Sequence, residues 1–185
     1  MASASESQQL AAVAAAELQC DVVTIARLTR ATSVSVCEAA CLALANLSEN
    51  SLLRTALASD QTQAVVKALT SALRTQRGLR LQRECCRALG NLCSDMGSAD
   101  AVSTFAGTCG AVEAVAAALR AHRTENADVQ EAECLALANL LGRGACMYHT
   151  GNCDRAHRAG GWRARLHGLA VGVRRVAGVA QAAQP

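Results

Sequence analysis

An all-α fold, built from helical hairpins piled into a solenoid, is predicted by three observations. One phrase recurs along the chain: CLALANL ending at Leu47, CRALGNL ending at Leu92 and CLALANL ending at Leu140. Its asparagines, Asn46, Asn91 and Asn139, stand 45 and 48 positions apart, the period of a helical repeat array. The composition agrees: of 185 residues 51% are apolar, but there is one Phe, one Tyr and one Trp, and the only proline is Pro185. A core of Ala, Leu, Val and Cys suits closely packed helices. Thirdly, apolar residues recur at helical period ahead of each asparagine.

The elements follow in order. Residues 1–19 read as an N-terminal helical extension or cap, and residues 20–141 as three repeats, about 20–48, 49–94 and 95–141. In the first, Val22, Val23, Ile25, Ala26 and Leu28 form a helix face, and Thr32-Ser33 is a turn and N-cap before the asparagine helix. In the second, Ala64, Val65, Ala68, Leu69 and Leu73 line one helix, Gln76-Arg77-Gly78 is the turn, and Leu81-Gln82 opens the next helix. In the third, Val112, Val115, Ala116 and Leu119 share a face, Arg123 to Asn126 make a polar turn, and Val129-Gln130 starts the helix that reaches Asn139-Leu140. The stretches 52–58 and 101–106 have room for one or two turns, so each repeat holds one short and two long helices.

Gly-Ala-Val-x-x-Val at 110–115 and Val-Gln-x-x-x-Cys-Leu-Ala-Leu-Ala-Asn-Leu at 129–140 resemble the armadillo repeat family, with weaker copies upstream. The resemblance implies a right-handed α-solenoid of three-helix repeats and a non-catalytic scaffold or adaptor that binds a partner protein or extended peptide. It implies that the third helices line a concave groove and that Asn46, Asn91 and Asn139 pair with the peptide main chain. Nuclear-import receptors of that family carry tryptophan four positions before the asparagine. Here Leu42, Arg87 and Leu135 stand there, so recognition of basic import signals is disfavoured. Arg87 is expected to place positive charge mid-groove, which favours an acidic or mixed peptide.

Asparagine is a mediocre helix residue, several tenths of a kcal/mol worse than Ala. Its amide offers a donor and an acceptor together, as an extended backbone does. Two compatible readings follow: each Asn faces the groove, or each buttresses the neighbouring repeat. Cys41, Cys86 and Cys134 share one repeat position and are expected to be buried thiols. The first nineteen residues carry Glu6 and Glu17 and do not read as a secretory leader, so reduced cysteines and a cytoplasmic location are expected, with the nucleus as the alternative.

No enzyme motif stands out, and no cofactor or small-molecule substrate is expected. His122 reads as a solvated cap at a helix end. Cys85-Cys86 reads as core plus rim. Residues 1–142 hold 11 basic and 14 acidic side chains, whereas 143–185 hold seven arginines and only Asp154. That Arg/Gly-rich tail reads as a degenerate capping repeat, as a disordered segment, or as a basic amphipathic helix. The alternative function is accordingly a fragment of a longer array whose basic tail contacts anionic membrane or nucleic acid. Cys146, His149, Cys153 and His157 match no closed zinc spacing, and no metal is expected.

Overall fold

The computed structural model describes residues 2–94, 99–122 and 127–141. Among them the secondary structure is wholly helical: α1 (Ala2–Leu18), α2 (Val22–Leu28), α3 (Val34–Glu49), α4 (Ser51–Ala56), α5 (Ser59–Thr75), α6 (Leu79–Leu92), α7 (Ala99–Thr108), α8 (Ala111–Ala121) and α9 (Ala127–Leu140). The three asparagines fall on α3, α6 and α9. The expected Arg/Gly-rich tail, its cysteine–histidine cluster and the turn at 123–126 lie outside the described residues. No single described helix is long and apolar enough to cross a membrane.

Local chemistry sets the helix ends. Asp21 accepts from the Thr24 N–H at 3.1 Å and begins α2; these bonds hold its carboxyl below the usual range. Ser33 accepts from the Val36 N–H and begins α3, as its sequence position predicts. Asn50 bonds the N–H groups of Leu52 and Leu53 and starts α4. At α5 the Ala58 N–H is held by the Gln61 side chain at 3.0 Å, so the helix begins at Ser59, well before its apolar stripe. Gly110 has φ +79°, the left-handed conformation that glycine adopts without strain, and there α7 turns into α8. Arg74 of α5 holds that corner by donating to the Gly110 carbonyl at 3.2 Å.

The long helices form two layers. In one, α6 packs extensively between α3 and α9; in the other, α5 touches α2 and α8 more sparsely. The hairpins α2–α3, α5–α6 and α8–α9 join the layers, and α7 fills the junction among α5, α8 and α9. α1 lies beside α3 and runs parallel to it, because Glu6 accepts from Ser33 at 2.7 Å near the start of α3 and Glu17 accepts from Asn46 at 3.1 Å near its end.

The core runs continuously through both layers. Ile25, Leu69, Leu81, Leu89, Leu137 and Leu140 are its largest fully buried side chains, each worth about 1.5–3 kcal/mol of transfer free energy. Small residues fill the space between them: Ala40, Ala45, Ala88 and Ala136 have no exposed surface, and a Cβ on Gly90 would lie 3.4 Å from Ala136 Cα. α6 and α9 therefore approach closely because neither offers a large side chain at that crossing.

A device recurs within each hairpin. Gln82 of α6 donates to the Gln76 carbonyl at 2.6 Å, and Gln130 of α9 donates to the His122 carbonyl at 2.9 Å. At the equivalent position of α3, the Cys37 thiol meets the Ala31 carbonyl at 3.0 Å. In each case a side chain at the start of the hairpin's later helix satisfies a carbonyl just past the end of its earlier one, where the helix leaves orphan acceptors.

Candidate functional site

The exposed face of the α3–α6–α9 layer is the candidate site. Equivalent residues stand in rows across the three parallel helices. Leu42, Arg87 and Leu135 form one row; Leu42 and Arg87 are half-buried and Leu135 is 50% exposed. Glu38, Arg83 and Glu131 form a second row, one turn nearer the helix starts, with Arg80 ahead of Arg83 on the same stripe of α6.

The asparagines form the last row, and each directs its amide N–H to the preceding helix. Asn46 Nδ2 donates to Glu17, Asn91 Nδ2 to the Ser48 hydroxyl at 3.2 Å, and Asn139 Nδ2 to the Gly90 carbonyl at 2.9 Å. Burial increases along the series: Asn46 is exposed, Asn91 half-buried and Asn139 buried. The amide donors thus join α3 to α1, α6 to α3 and α9 to α6, the buttressing geometry of the two readings. At Asn46 the acceptor is engaged as well, since its Oδ1 receives Arg87 at 3.0 Å.

Arg87 differs from the expectation of a bare positive charge. Its guanidinium pairs with Glu49 on α3 and, at 2.8 Å, with Glu84 one turn back on α6. Glu84 also takes Arg83 at 2.8 Å and is itself only 3% exposed. Two arginines and two carboxylates therefore cancel around Arg87. A nearly buried carboxylate draws the arginines down, because an uncompensated charge there would cost several kcal/mol.

His122 also departs from its expected solvated cap. It is 5% exposed, and its Nδ1 lies 2.8 Å from Glu133 Oε1, while Glu133 has no exposed surface. Burial raises the Glu133 carboxyl above its ordinary range, and the bond to His122 opposes that only in part. The equivalent positions on α3 and α6 are Ala40 and Cys85, so an ionisable carboxyl has replaced small core residues in the third hairpin.

The cysteines belong to the core. Cys41, Cys85 and Cys86 have no exposed surface, so Cys85-Cys86 is not a core-plus-rim pair; Cys134 is 8% exposed. The Cys85 thiol donates to Cys41 across the α3–α6 contact at 3.4 Å, and this bond followed by burial raises its pKa well above the ordinary thiol value. Burial pushes Cys93 and Cys134 up to about 11. Such thiols are protonated at neutral pH and make poor nucleophiles. The described residues contain no cluster able to hold a metal ion.

A separate cavity of about 460 Å³ opens among α4, α5 and α7, lined by Leu57, Leu92, Val102 and Phe105 with Thr62 and Gln63. The Lys67 ammonium lies 5.4 Å from the centre of the Phe105 ring. Sequence reasoning missed this cavity, since short helices with few bulky residues gave no periodic signal.

No protein-family model matches the chain, and neither does any curated protein. Among solved structures, the crystal structure of an engineered protein superposes with a TM-score of 0.51 at 22% identity, covering 81% of this chain. The chain spans 65% of the length of that protein. At this identity the likeness speaks for the helical fold alone.

Proposed function

We propose that the chain is a non-catalytic protein-interaction module, an α-solenoid of armadillo-like repeats that binds an extended peptide or partner along the α3–α6–α9 face. The observation that carries this reading is the register of the three third helices. Parallel helices in contact present Leu42, Arg87 and Leu135 in one row, so the floor offers the same kind of position at each helical step. A row of that sort fits a guest whose own side chains repeat along an extended backbone. Leu135, half exposed beside the polar Glu131, is the side chain with most to gain from being covered.

The asparagine ladder plays a different part here from a main-chain clamp. Its N–H groups fix the spacing of the floor helices, and the guest is recognised by the side chains ahead of them. Burial of the repeat thiols and of His122 supports a binding role over catalysis, because the nucleophilic groups sit out of reach of a substrate.

The test is selection of a randomised twelve-residue peptide library on the immobilised 185-residue chain. Selected peptides should bind saturably, and Leu42→Glu with Leu135→Glu should weaken them at least tenfold without changing the melting temperature. Absence of enrichment over bare matrix, or peptides indifferent to both substitutions, would refute the assignment of this face.

A further inference from the structure

The unpaired charges on the floor specify more about the guest than the helices alone. The four groups around Arg87 cancel, which leaves other residues to set the charge that an incoming chain meets. On α3 Glu38 is half-buried, with a carboxylate oxygen 3.4 Å from where a Cβ on Gly78 would stand, at the start of α6. On α6 Arg80 is exposed and makes no ion pair among the described residues; on α9 Glu131 is exposed and likewise unpaired. Crossing from α3 to α9, the floor is therefore negative, positive, negative. Leu42 and Leu135 lie one turn further along the two outer helices, with the neutralised Arg87 between them.

Packed helices lie about 8–10 Å apart. A strand advances about 3.3 Å per residue with alternate residues on opposite faces, so three successive same-face contacts at helix spacing do not match it. A polyproline II segment has three residues per turn and about 3.1 Å rise, so residues i, i+3 and i+6 share a face about 9 Å apart. Helix spacing and guest period then coincide.

We propose that the face recognises a polyproline II-like segment carrying basic, acidic and basic residues at i, i+3 and i+6, set over Glu38, Arg80 and Glu131. This rests on the proposed binding face and refines it by naming the charge order and the spacing. It replaces the acidic peptide expected from Arg87, whose charge is already spent within the fold.

Sequencing the peptides enriched from the twelve-residue library on the chain tests the inference. Enrichment of Lys or Arg, Asp or Glu, then Lys or Arg at three-residue intervals supports it, and Arg80→Glu should convert the central preference to basic. Lys67→Gln, on exposed α5 surface in the other layer, should leave the selected pattern unchanged, with affinity altered less than threefold. Peptides that bind this face but are uniformly acidic, uniformly basic or spaced by two would overturn the charge order while leaving the face intact. Failure to enrich any peptide would overturn the face and the inference together.

Discussion

Replacing Asn139 by Ala should be the most damaging of three apparently equivalent changes. The Gly90 carbonyl lies in the last turn of α6, and the N–H four residues on, that of Ser94, goes to the Asn91 carbonyl instead. Gly90 therefore takes its donor from Asn139 of the neighbouring helix at 2.9 Å, within a contact where Asn139 is 5% exposed. Truncation leaves a buried carbonyl without a donor, which costs about 1–3 kcal/mol. For a domain of this size each kcal/mol moves the melting point by about 3 °C, so a loss of about 6 °C is expected. Asn91→Ala, whose half-buried amide donates to a hydroxyl, should cost about 1 kcal/mol. Asn46→Ala breaks only exposed contacts to Glu17 and Arg87 and should cost less than about 0.5 kcal/mol. Thermal and urea unfolding followed by far-ultraviolet circular dichroism would rank the three. Equal losses, or the largest loss at Asn46, would refute the claim that burial at the helix junction sets the value of this residue.

Gly90→Val should destabilise by about 1–3 kcal/mol in the same assay, because its side chain would press on the α9 backbone at Ala136. Gln82→Glu should cost more than about 3 kcal/mol at pH 7, since it sets an acceptor against the Gln76 carbonyl at a site with no exposed surface; loss of cooperative unfolding at 25 °C would agree, and an unchanged midpoint would contradict it. Among the described thiols, brief alkylation followed by peptide mass mapping should modify exposed Cys20 first and leave Cys41, Cys85 and Cys86 untouched until urea unfolds the chain. Glu133 has a folded pKa raised above its unfolded value, so the native state holds its proton more tightly; that contribution is full below about pH 4.5 and is lost as pH rises through the raised value. Stability of the chain relative to Glu133→Gln should therefore decline with rising pH across that window, and a difference independent of pH would contradict the buried-carboxylate reading.

Much of the helix order is legible in the residues. Periodic Val, Leu and Ala mark α2, α5, α8 and the asparagine helices, and Ser33 was identifiable as a cap because a hydroxyl before an apolar run has one obvious use. The start of α5 was less visible: Ser59 to Gln63 are polar, and only the Gln61 reach to Ala58 shows that the helix has begun. α7 is longer than its apolar content suggests, since Gly107 and Thr108 continue it without contributing to a stripe. On the candidate face, Glu84 three residues before Arg87 was readable as an intrahelical pair, whereas Glu49 was not, because its approach depends on the register of α3 against α6. His122 misled for a related reason. A histidine beside a polar turn looks solvated until the wheel of α9 is drawn and Glu133 is seen on the inward face that Ala40 and Cys85 occupy in the other hairpins.

These particulars separate two kinds of bond with different consequences. The side chains of Cys37, Gln82 and Gln130 close each hairpin on itself, across six to eight residues of sequence. The amides of Asn91 and Asn139 join one hairpin to the next and that of Asn46 joins α1 to the first, across 29 to 49 residues. Local closure comes at small entropic cost, while stacking must overcome the entropy of ordering a whole further unit. The hairpin contribution should therefore be similar from unit to unit, and the junction contribution should vary with how deeply its asparagine is buried. On that basis the α6–α9 junction, with buried Asn139 on the Gly90 carbonyl, is the firmer one, and the α1–α3 junction, with exposed Asn46 on Glu17, is where the stack opens first. Asn46 meets α1 through its amide N–H and Arg87 through its oxygen, so loosening α1 leaves the pairs of Arg87 with Glu49 and Glu84 in place, and the charge on the α3–α6–α9 face is set at the α3–α6 contact rather than by α1.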